Sequence, residues 1–328
     1  MEIQIYILDK KDTTEVGNLF LKNFFNLSSN QFINTKGFVS NYELLLKNNN
    51  SYSENSSTFK KNGNYDIFTT LKFDTSLPMA KMMSEYRHYL TPKVSFRYSP
   101  NDNSDISSKN ILLDYNNVFS LNRIGANHEV EGGESLSLGL EFKRDNIKGF
   151  NNFDLKIANN LRFNENRQLP SKSKLNKTRS DIFGNFNYNI NDDFKIGYFF
   201  SYDRDLEYSN LEQINFDYGV NNFFTNFSYY TEDNDIGDKE NIKNFSKYVL
   251  DNENKISFEM NKDLKNDFTQ YYNLIYTYKT DCISMNFNYN KTFYRDGNLE
   301  PNRSLSFLIK IIPFTELGVT NIENLIEN

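Results

Sequence analysis

Apolar and polar residues alternate along most of the chain. The clearest stretch is 282–294, where the odd positions are apolar except at Lys291 and the even positions up to Thr292 are Cys, Ser, Asn and Thr. Successive side chains of a β-strand point to opposite faces. The stretch therefore predicts a strand with one apolar and one polar face.

The same alternation recurs in five further stretches, at 135–142, 155–163, 185–190, 214–218 and 304–311. Such stretches predict about a dozen to fifteen strands of about ten residues, the length that crosses a bilayer when tilted. No stretch has a convincing helical period.

Polar connectors separate the predicted strands, and they are of two lengths. Residues 191–193 form a short one, whereas 99–110, 164–179 and 231–243 form long ones. Tight turns mixed with long polar loops are typical of a membrane barrel. The predicted fold is all-β, an antiparallel transmembrane β-barrel over residues 1–314, with 50–63 as a loop and 315–328 as a tail.

Composition narrows the fold class. Aromatic residues make up 16% of the chain, with 30 Phe, 22 Tyr and no Trp, at a mean hydropathy of −0.69. Disordered segments are poor in aromatic residues. A soluble β-sandwich stays open as an alternative, but its strands average five to six residues, and the longer runs here favour a barrel.

Charge and cysteine content exclude several classes. The net charge of −6 gives no basic footprint for nucleic acid. The single cysteine, Cys282, allows no internal disulfide. No apolar run is long enough for a transmembrane helix, and the first residues lack a secretory signal. Either the protein is not exported, or the chain begins downstream of the true start; we expect the second.

Catalytic and metal-binding patterns are missing from the sequence. The two histidines, His88 and His128, lie far apart and have no metal-ligand spacing. Ser84 and His88 would lie about 13 Å apart on a strand, too far for a dyad. The acidic run 232–238 lacks the spacing of a calcium loop. We expect neither an enzyme nor a cofactor.

Three motifs, in order and spacing, resemble the LptD family over about residues 85–313. The first keeps Phe119, Asn122, Arg123, Gly125, Glu131, Gly132 and Gly133, and departs from the family at Ile124 and 127–129. The second is Leu169-Pro170 followed by 177–182, with Arg179 and Asp181. The third runs from Cys282 to Tyr294, Arg295 and Asp296, and then Pro301.

The resemblance implies a function and partners. LptD proteins place lipopolysaccharide in the outer leaflet of the Gram-negative outer membrane, without covalent chemistry. The saccharide would pass through the wet lumen, and the lipid would leave sideways between the first and last strands. The implied partners are lipopolysaccharide, outer-membrane lipid, an LptE-like lipoprotein plug and an LptA-like periplasmic bridge, reached through an N-terminal domain.

The resemblance also suggests roles for particular residues. A complete family member carries a signal and a periplasmic domain, so we expect this chain to be a C-terminal portion whose last strand, about 304–312, borders the lateral seam. In the family, a cysteine at the Cys282 motif forms a disulfide to the periplasmic domain; the alternative is an incidental small residue. The groups at 122–123 and 294–296 would anchor loops or, less favoured, contact a ligand phosphate.

Three other functions remain as alternatives. A passive porin-type barrel shares the alternation but predicts a smaller closed barrel. A soluble all-β surface protein predicts a monomer that is stable in water without detergent. A barrel enzyme comes last, for want of a nucleophile and a base.

Overall fold

The computed structural model describes residues 2–11, 17–53, 64–100, 105–125, 130–148, 150–191, 193–293, 302–311 and 315–319. These residues form β-strands, loops and one short 3-10 turn at Lys172–Lys174. Within these ranges no helix is long and apolar enough to cross a membrane.

The strands follow one another along the chain. The first nine are β1 (Glu2–Lys11), β2 (Gly17–Ser28), β3 (Phe32–Ile33), β4 (Val39–Ser53), β5 (Asn64–Ser76), β6 (Met79–Met82), β7 (Tyr86–Ser99), β8 (Gly133–Asn146) and β9 (Asn151–Arg162). The next ten are β10 (Ile182–Asn189), β11 (Phe194–Tyr202), β12 (Ser209–Val220), β13 (Phe223–Glu232), β14 (Lys239–Val249), β15 (Asn254–Asp263), β16 (Phe268–Lys279), β17 (Ile283–Thr292), β18 (Arg303–Ile311) and β19 (Thr315–Val319).

The all-β prediction is confirmed, and the described residues contain more strands than the alternation predicted. Residues 231–243, expected to be one long loop, include the end of β13 and the start of β14, and Glu232 pairs with Lys239 across them. The strands continue there because charged side chains can face water at a sheet end without breaking the backbone ladder. The start of the predicted tail, 315–319, forms β19 on β18.

The chain forms two compact units. Unit 1 comprises residues 1–149, 154–184 and 201–208, and unit 2 comprises 150–153, 185–200 and 209–328. In unit 1, antiparallel pairs run from β1–β2 to β7–β8, with the short β3 and β6 pairing β4 and β7. In unit 2, each strand from β12 to β19 pairs antiparallel with the next.

The sheet of unit 1 has an apolar face that is exposed and a polar face that is covered. Ile67 is 66% exposed and Leu71 45%, while Arg97 on the other face is only 3% exposed. In β8 the apolar-face residues Leu138 and Leu140 are likewise exposed. Water-soluble sheets do the opposite and bury their apolar face. The predicted alternation is confirmed, and the apolar face is not the interior of a sandwich.

The core of unit 1 lies on the polar face, under two loops. Its buried cluster comes from the β7–β8 loop, the β9–β10 loop and two strands, and consists of Ile106, Leu113, Tyr115, Val118, Ile124, Ala158, Leu169, Leu175 and Phe183. A smaller cluster joins Leu121 and Val130 of the β7–β8 loop to Leu45 and Phe68 of β4 and β5. The loops thus supply the apolar groups that the polar face lacks.

Candidate functional site

The β7–β8 loop, described at 105–125 and 130–132, packs on the polar face of unit 1. A local turn shapes its first half: Asn117 and Asp114 each accept a hydrogen bond from the other's backbone N–H, at 2.9 and 2.8 Å. The Asn117 amide also donates to the carbonyl of Leu112 at 2.8 Å. Such side-chain turns compete with strand formation, which explains why the strand pattern stops here.

Phe119 fixes the loop to the sheet through its ring and its carbonyl. A Cβ added to Gly139 of β8 would lie 2.4 Å from the Phe119 Cζ, so the ring occupies the space that the glycine leaves open. Lys72 of β5 donates to the Phe119 carbonyl at 2.6 Å. The Lys72 ammonium also pairs with Glu43 at 3.2 Å and Asp74 at 2.8 Å, so its buried charge is balanced.

At the end of the loop, Glu131 lies among three arginines, one from the loop and two from strands, and we call this group the Glu131 cluster. Arg123 makes a bidentate pair with the Glu131 carboxylate, both bonds at 2.5 Å. Arg162 of β9 bonds the same carboxylate. Arg97 of β7 donates to the Glu131 backbone carbonyl at 2.6 Å. Because all four residues are buried, the loop and two strands are held by charge that water does not screen.

Neutral side chains complete the cluster. Arg123 donates to Asn160 Oδ1 at 2.6 Å and to Ser135 Oγ at 2.8 Å. Ser137 lies 3.2 Å from Arg123 and also donates to the carbonyl of Val118. The polar-face residues of β8 and β9 are therefore the partners that make a buried guanidinium tolerable.

Three positive charges face one negative charge in the Glu131 cluster. Burial alone would raise the pKa of Glu131, but the guanidinium groups of Arg123, Arg97 and Arg162 outweigh burial and lower this pKa to about 2. The carboxylate is thus ionised at any physiological pH, which keeps the cluster intact.

The glycines of the first motif lie in or next to the Glu131 cluster. Arg162 donates to the Gly132 carbonyl at 2.6 Å. Gly133 has a φ of +87°, and a Cβ there would lie 2.9 Å from the Arg162 Nη2. Gly125 ends a turn with a φ of +61°. A side chain at Gly133 would therefore meet both backbone strain and a clash with the guanidinium.

The β9–β10 loop holds the second motif. Arg179 forms an isolated backbone bridge with Leu161. The buried Asp181 accepts from Ser201 Oγ at 3.2 Å, and its N–H donates to the carbonyl of Ser173 at 3.1 Å. Both sequence motifs of unit 1 therefore fix loops that cover the polar face.

The other predicted site residues do not join the Glu131 cluster. The N–H of Gly125 donates to the Asn122 carbonyl at 3.1 Å, within the loop. Cys282 is exposed, with a free thiol, in the turn before β17. The residues Tyr294, Arg295, Asp296 and Pro301 lie outside the described residues. Among the described residues, no group of three or more His, Cys, Asp or Glu side chains could hold a metal ion.

Sequence analysis missed three residues that carry the site: Arg97, Arg162 and Lys72. Each is a cation at a polar-face position of a strand that the β7–β8 loop covers. The sequence feature that could have indicated these residues is a single cation among small polar residues on one face of a strand, as in Ser95, Arg97 and Ser99. The hydrogen bond from Arg97 to the backbone carbonyl of Glu131, 34 residues away, is a long-range contact that periodicity does not reveal.

The contacts of the site are structural, because they hold the β7–β8 loop on the sheet. The site contains no arrangement of nucleophile and base, and its guanidinium groups bond Glu131 and the neutral Asn160. A sheet that exposes large apolar side chains and covers its charges defines the class of protein as a membrane-spanning antiparallel β-barrel.

Comparison with protein families gives a match of residues 25–261 to the family model of LPS transport system D, LptD. The chain belongs to the LptD family. The matched range includes the whole Glu131 cluster. No curated protein matches the chain significantly.

Solved structures similar to the chain include outer-membrane receptors and porins. A ferric enterobactin receptor mutant from Pseudomonas aeruginosa is 7% identical, with 93% of this chain and 57% of the receptor covered and a TM-score of 0.47. The siderophore receptor PirA from Acinetobacter baumannii is 8% identical, covers 93% and 58%, and scores 0.46. A mutant of Rh. blastica porin is 10% identical, covers 88% and 91%, and scores 0.35. The chain spans little more than half the length of the two receptors.

Proposed function

We propose that this chain forms the barrel part of a lipopolysaccharide translocon in the outer membrane of a Gram-negative bacterium. The observation that carries the proposal is the LptD family match over residues 25–261. The saccharide moves along the polar face of the sheet, and the acyl chains leave into the outer leaflet at the lateral seam. The protein supplies a path and no covalent chemistry.

The two faces of unit 2 support this assignment. On β16, Asn273 lies on the polar face and donates to Glu259 at 3.2 Å, while its neighbour Leu274 is exposed on the apolar face. Amide and carboxylate groups can exchange hydrogen bonds with sugar hydroxyls. Exposed leucine and phenylalanine suit acyl chains.

The partners follow from the family. An LptE-like lipoprotein would plug the barrel, and an LptA-like bridge would deliver lipopolysaccharide through a periplasmic domain. Cys282 is exposed in a turn, where a thiol is free to form a disulfide with that domain. Alkylation of the mature full-length protein under denaturing, non-reducing conditions tests the tether: labelled Cys282 would contradict it.

Photocrosslinking of neighbouring positions tests the transport path. A photoreactive amino acid replaces Asn273 or Leu274, one at a time, in the full-length protein in living cells. At Asn273 we expect adducts with newly made lipopolysaccharide that disappear in a chase, because transit along the polar face is transient. At Leu274, adducts with resident membrane lipid should persist.

The porin alternative makes a different prediction for the same experiment. A passive barrel would give no lipopolysaccharide adduct at Asn273 and would conduct ions in a planar bilayer without an LptE-like partner. That combination would overturn the proposed function. Transient adducts at Asn273 together with loss of surface lipopolysaccharide on depletion would support it.

A further inference from the structure

Two phenylalanine rings, Phe224 and Phe245, lie on the polar face of unit 2, and we call them the aromatic platform. Asn226 of β13 pairs with Asp217 on one side and with Phe245 on the other. The Asn226 amide donates to the Asp217 carboxylate at 2.5 Å on the polar face. Directly paired residues share a face, as do residues two apart on one strand. Phe245 and Phe224 therefore point to the polar face, where the alternation places polar side chains.

The register with β15 gives Phe245 the same orientation. Phe245 pairs with Glu259, which accepts polar-face hydrogen bonds from Tyr271 and Asn273. Phe258, one residue before Glu259, points to the opposite, apolar face. Both faces of these strands thus carry phenylalanine, in different surroundings.

The aromatic platform is open to the polar face. Phe224 is 38% exposed, and Phe245 is partly exposed. The two ring centroids lie 6.4 Å apart, with 57° between the ring planes. A Cβ added to Gly219 of β12 would lie 3.6 Å from the Phe224 Cδ2, so this ring rests against a position that has no side chain. Aromatic carbon exposed to water is unfavourably hydrated, and a ligand with an apolar surface relieves that cost.

Hydrogen-bonding side chains surround the aromatic platform. Lys247 lies beside Phe224 in the register, and Asn226 and Glu259 lie on either side of Phe245. An ammonium group donates hydrogen bonds, a carboxylate accepts them and an amide does both. A carboxylate has about four lone-pair sites. Glu259 can therefore accept a further hydroxyl besides its bonds within the protein.

A sugar ring has the chemistry that fits these surroundings. One face of a pyranose consists of C–H groups that pack on aromatic rings, and its edge carries hydroxyls that donate and accept hydrogen bonds. Lys247 and Glu259 carry opposite charges, which favours a neutral ring over an anion. An acyl chain would leave the surrounding polar groups without partners, at a cost in free energy. A pyranose therefore matches both the rings and their polar neighbours.

The aromatic platform lies near the short-turn end of unit 2. Phe224 is the second residue of β13, which follows the turn at 221–222. Short turns of outer-membrane barrels face the periplasm, and an exported saccharide arrives from that side. The two rings therefore lie at the start of the path along the polar face.

We propose that the aromatic platform binds a pyranose ring of the saccharide part of lipopolysaccharide as this part enters the lumen. Phe224 and Phe245 pack on the C–H face of the ring, and Lys247, Asn226 and Glu259 bond its hydroxyls. This inference rests on the proposed function, because transport is what brings a saccharide to this face.

Tryptophan fluorescence tests the site, because the chain contains no tryptophan of its own. Phe245→Trp places a reporter on the aromatic platform, and Phe258→Trp places one on the apolar face. Both variants are measured in the full-length protein in detergent micelles, after subtraction of the signal of the unsubstituted protein. The probe is the oligosaccharide that mild acid releases from lipopolysaccharide. It is compared with the same oligosaccharide after periodate oxidation and borohydride reduction, which open sugar rings and keep hydroxyl groups.

We expect the intact oligosaccharide to protect the Phe245→Trp reporter from quenching by acrylamide, and the ring-opened form to protect it much less. The Phe258→Trp reporter should respond to neither saccharide, and brominated detergent should quench it. Equal protection by both saccharides would overturn the proposal. So would a Phe245→Trp reporter that responds only to the LptE-like lipoprotein.

Two phenylalanines of β13 supply matched variants, each measured with the Phe245→Trp reporter. Phe224→Leu removes a flat ring but keeps an apolar side chain, and should weaken oligosaccharide binding about five-fold. Phe224→Tyr should retain binding. Phe227→Leu makes the same change on the apolar face and should leave binding unchanged. If Phe224→Leu fails to fold, as judged by its heat-modifiable mobility on gels, then Phe224→Met takes its place with the same expected loss. Equal losses for Phe224→Leu and Phe227→Leu would contradict a site at the aromatic platform.

The outcome is separable from the proposed function. A protein that gives transient lipopolysaccharide adducts at Asn273 but no saccharide response at the Phe245→Trp reporter would contradict the aromatic platform alone. A protein that binds the oligosaccharide through Phe224 but fails the crosslinking test at Asn273 would contradict transport alone.

Discussion

In unit 1 the polar face of the sheet lies under two long loops, whereas in unit 2 the polar-face side chains bond mainly to one another. Unit 1 buries Glu131 together with the three arginines around it. Among the described residues of unit 2, only Asn210, Leu211, Ile236 and Asn261 are buried. The two units share one strand pattern and satisfy their polar atoms in different ways.

In unit 2 the polar-face side chains satisfy their polar atoms by hydrogen bonds to one another. Asn226 donates to Asp217 at 2.5 Å on the neighbouring strand, and Thr277 donates to Asn286 at 2.8 Å. Such groups are partly exposed, so water can replace a lost partner at little cost. Around Glu131 in unit 1 the side chains are buried, so each lost partner leaves a buried group unsatisfied. Equivalent substitutions should therefore cost more in unit 1 than in unit 2.

Replacing the central carboxylate should have the largest effect. Glu131→Gln leaves three buried guanidinium groups without a counter-charge, and we expect a loss of about 3–5 kcal/mol in the free energy of unfolding of unit 1. The β7–β8 loop should then become accessible to protease. Thermal unfolding in detergent and limited proteolysis measure both effects.

The matched control in unit 2 is Glu259→Gln. Glu259 accepts hydrogen bonds from Tyr271 at 2.9 Å and Asn273 at 3.2 Å, at the surface of the polar face. Its loss should cost at most about 1 kcal/mol, because water reaches these groups. Equal costs for the two variants would remove the energetic distinction between the units.

Acid should release the β7–β8 loop, because protonation of Glu131 removes the same negative charge as Glu131→Gln does. The pKa of Glu131 is lowered from 4.5 to about 2, so its contribution, on the order of 3 kcal/mol, is present above about pH 4.5 and is lost as the pH falls to 2. Hydrogen exchange of residues 105–125 measured between pH 5 and pH 2 should show this step. Glu131→Gln should remove the step, and a step that survives in this variant would assign it to another group.

Filling the space under Phe119 should have a smaller effect. Gly139→Ala places a methyl group 2.4 Å from the Phe119 Cζ, so the ring must move, at about 2–3 kcal/mol. Gly219→Ala in unit 2 meets its nearest atom at 3.6 Å, an ordinary contact, and should change stability by less than about 1 kcal/mol. Thermal unfolding of the two variants compares the units directly, and a silent Gly139→Ala would mean that the ring does not hold the loop.

The units also differ in how much of them the sequence predicts. In unit 2 a period of two is enough, because each strand pairs with the next and no other element intervenes; Phe287 and Phe307, for instance, pair on the apolar face as the alternation requires. In unit 1 the alternation predicts the faces of β7, β8 and β9 but not what covers them. The family motif pointed to Arg123 and Glu131, while their partners Arg97 and Arg162 come from distant strands that only the fold brings together.

Removing one tyrosine hydroxyl from each unit gives the finest comparison. Tyr115 of the β7–β8 loop is buried and donates to Glu141 at 2.6 Å, whereas Tyr271 of β16 donates to Glu259 at 2.9 Å in a partly exposed position. Tyr115→Phe should cost about 1.5 kcal/mol and Tyr271→Phe about 0.5 kcal/mol, since a charge-assisted hydrogen bond is stronger where water is excluded. Thermal unfolding in detergent measures the difference. A larger loss for Tyr271→Phe than for Tyr115→Phe would mean that water reaches Tyr115 beneath the β7–β8 loop. The exclusion of water would then be limited to the Glu131 cluster.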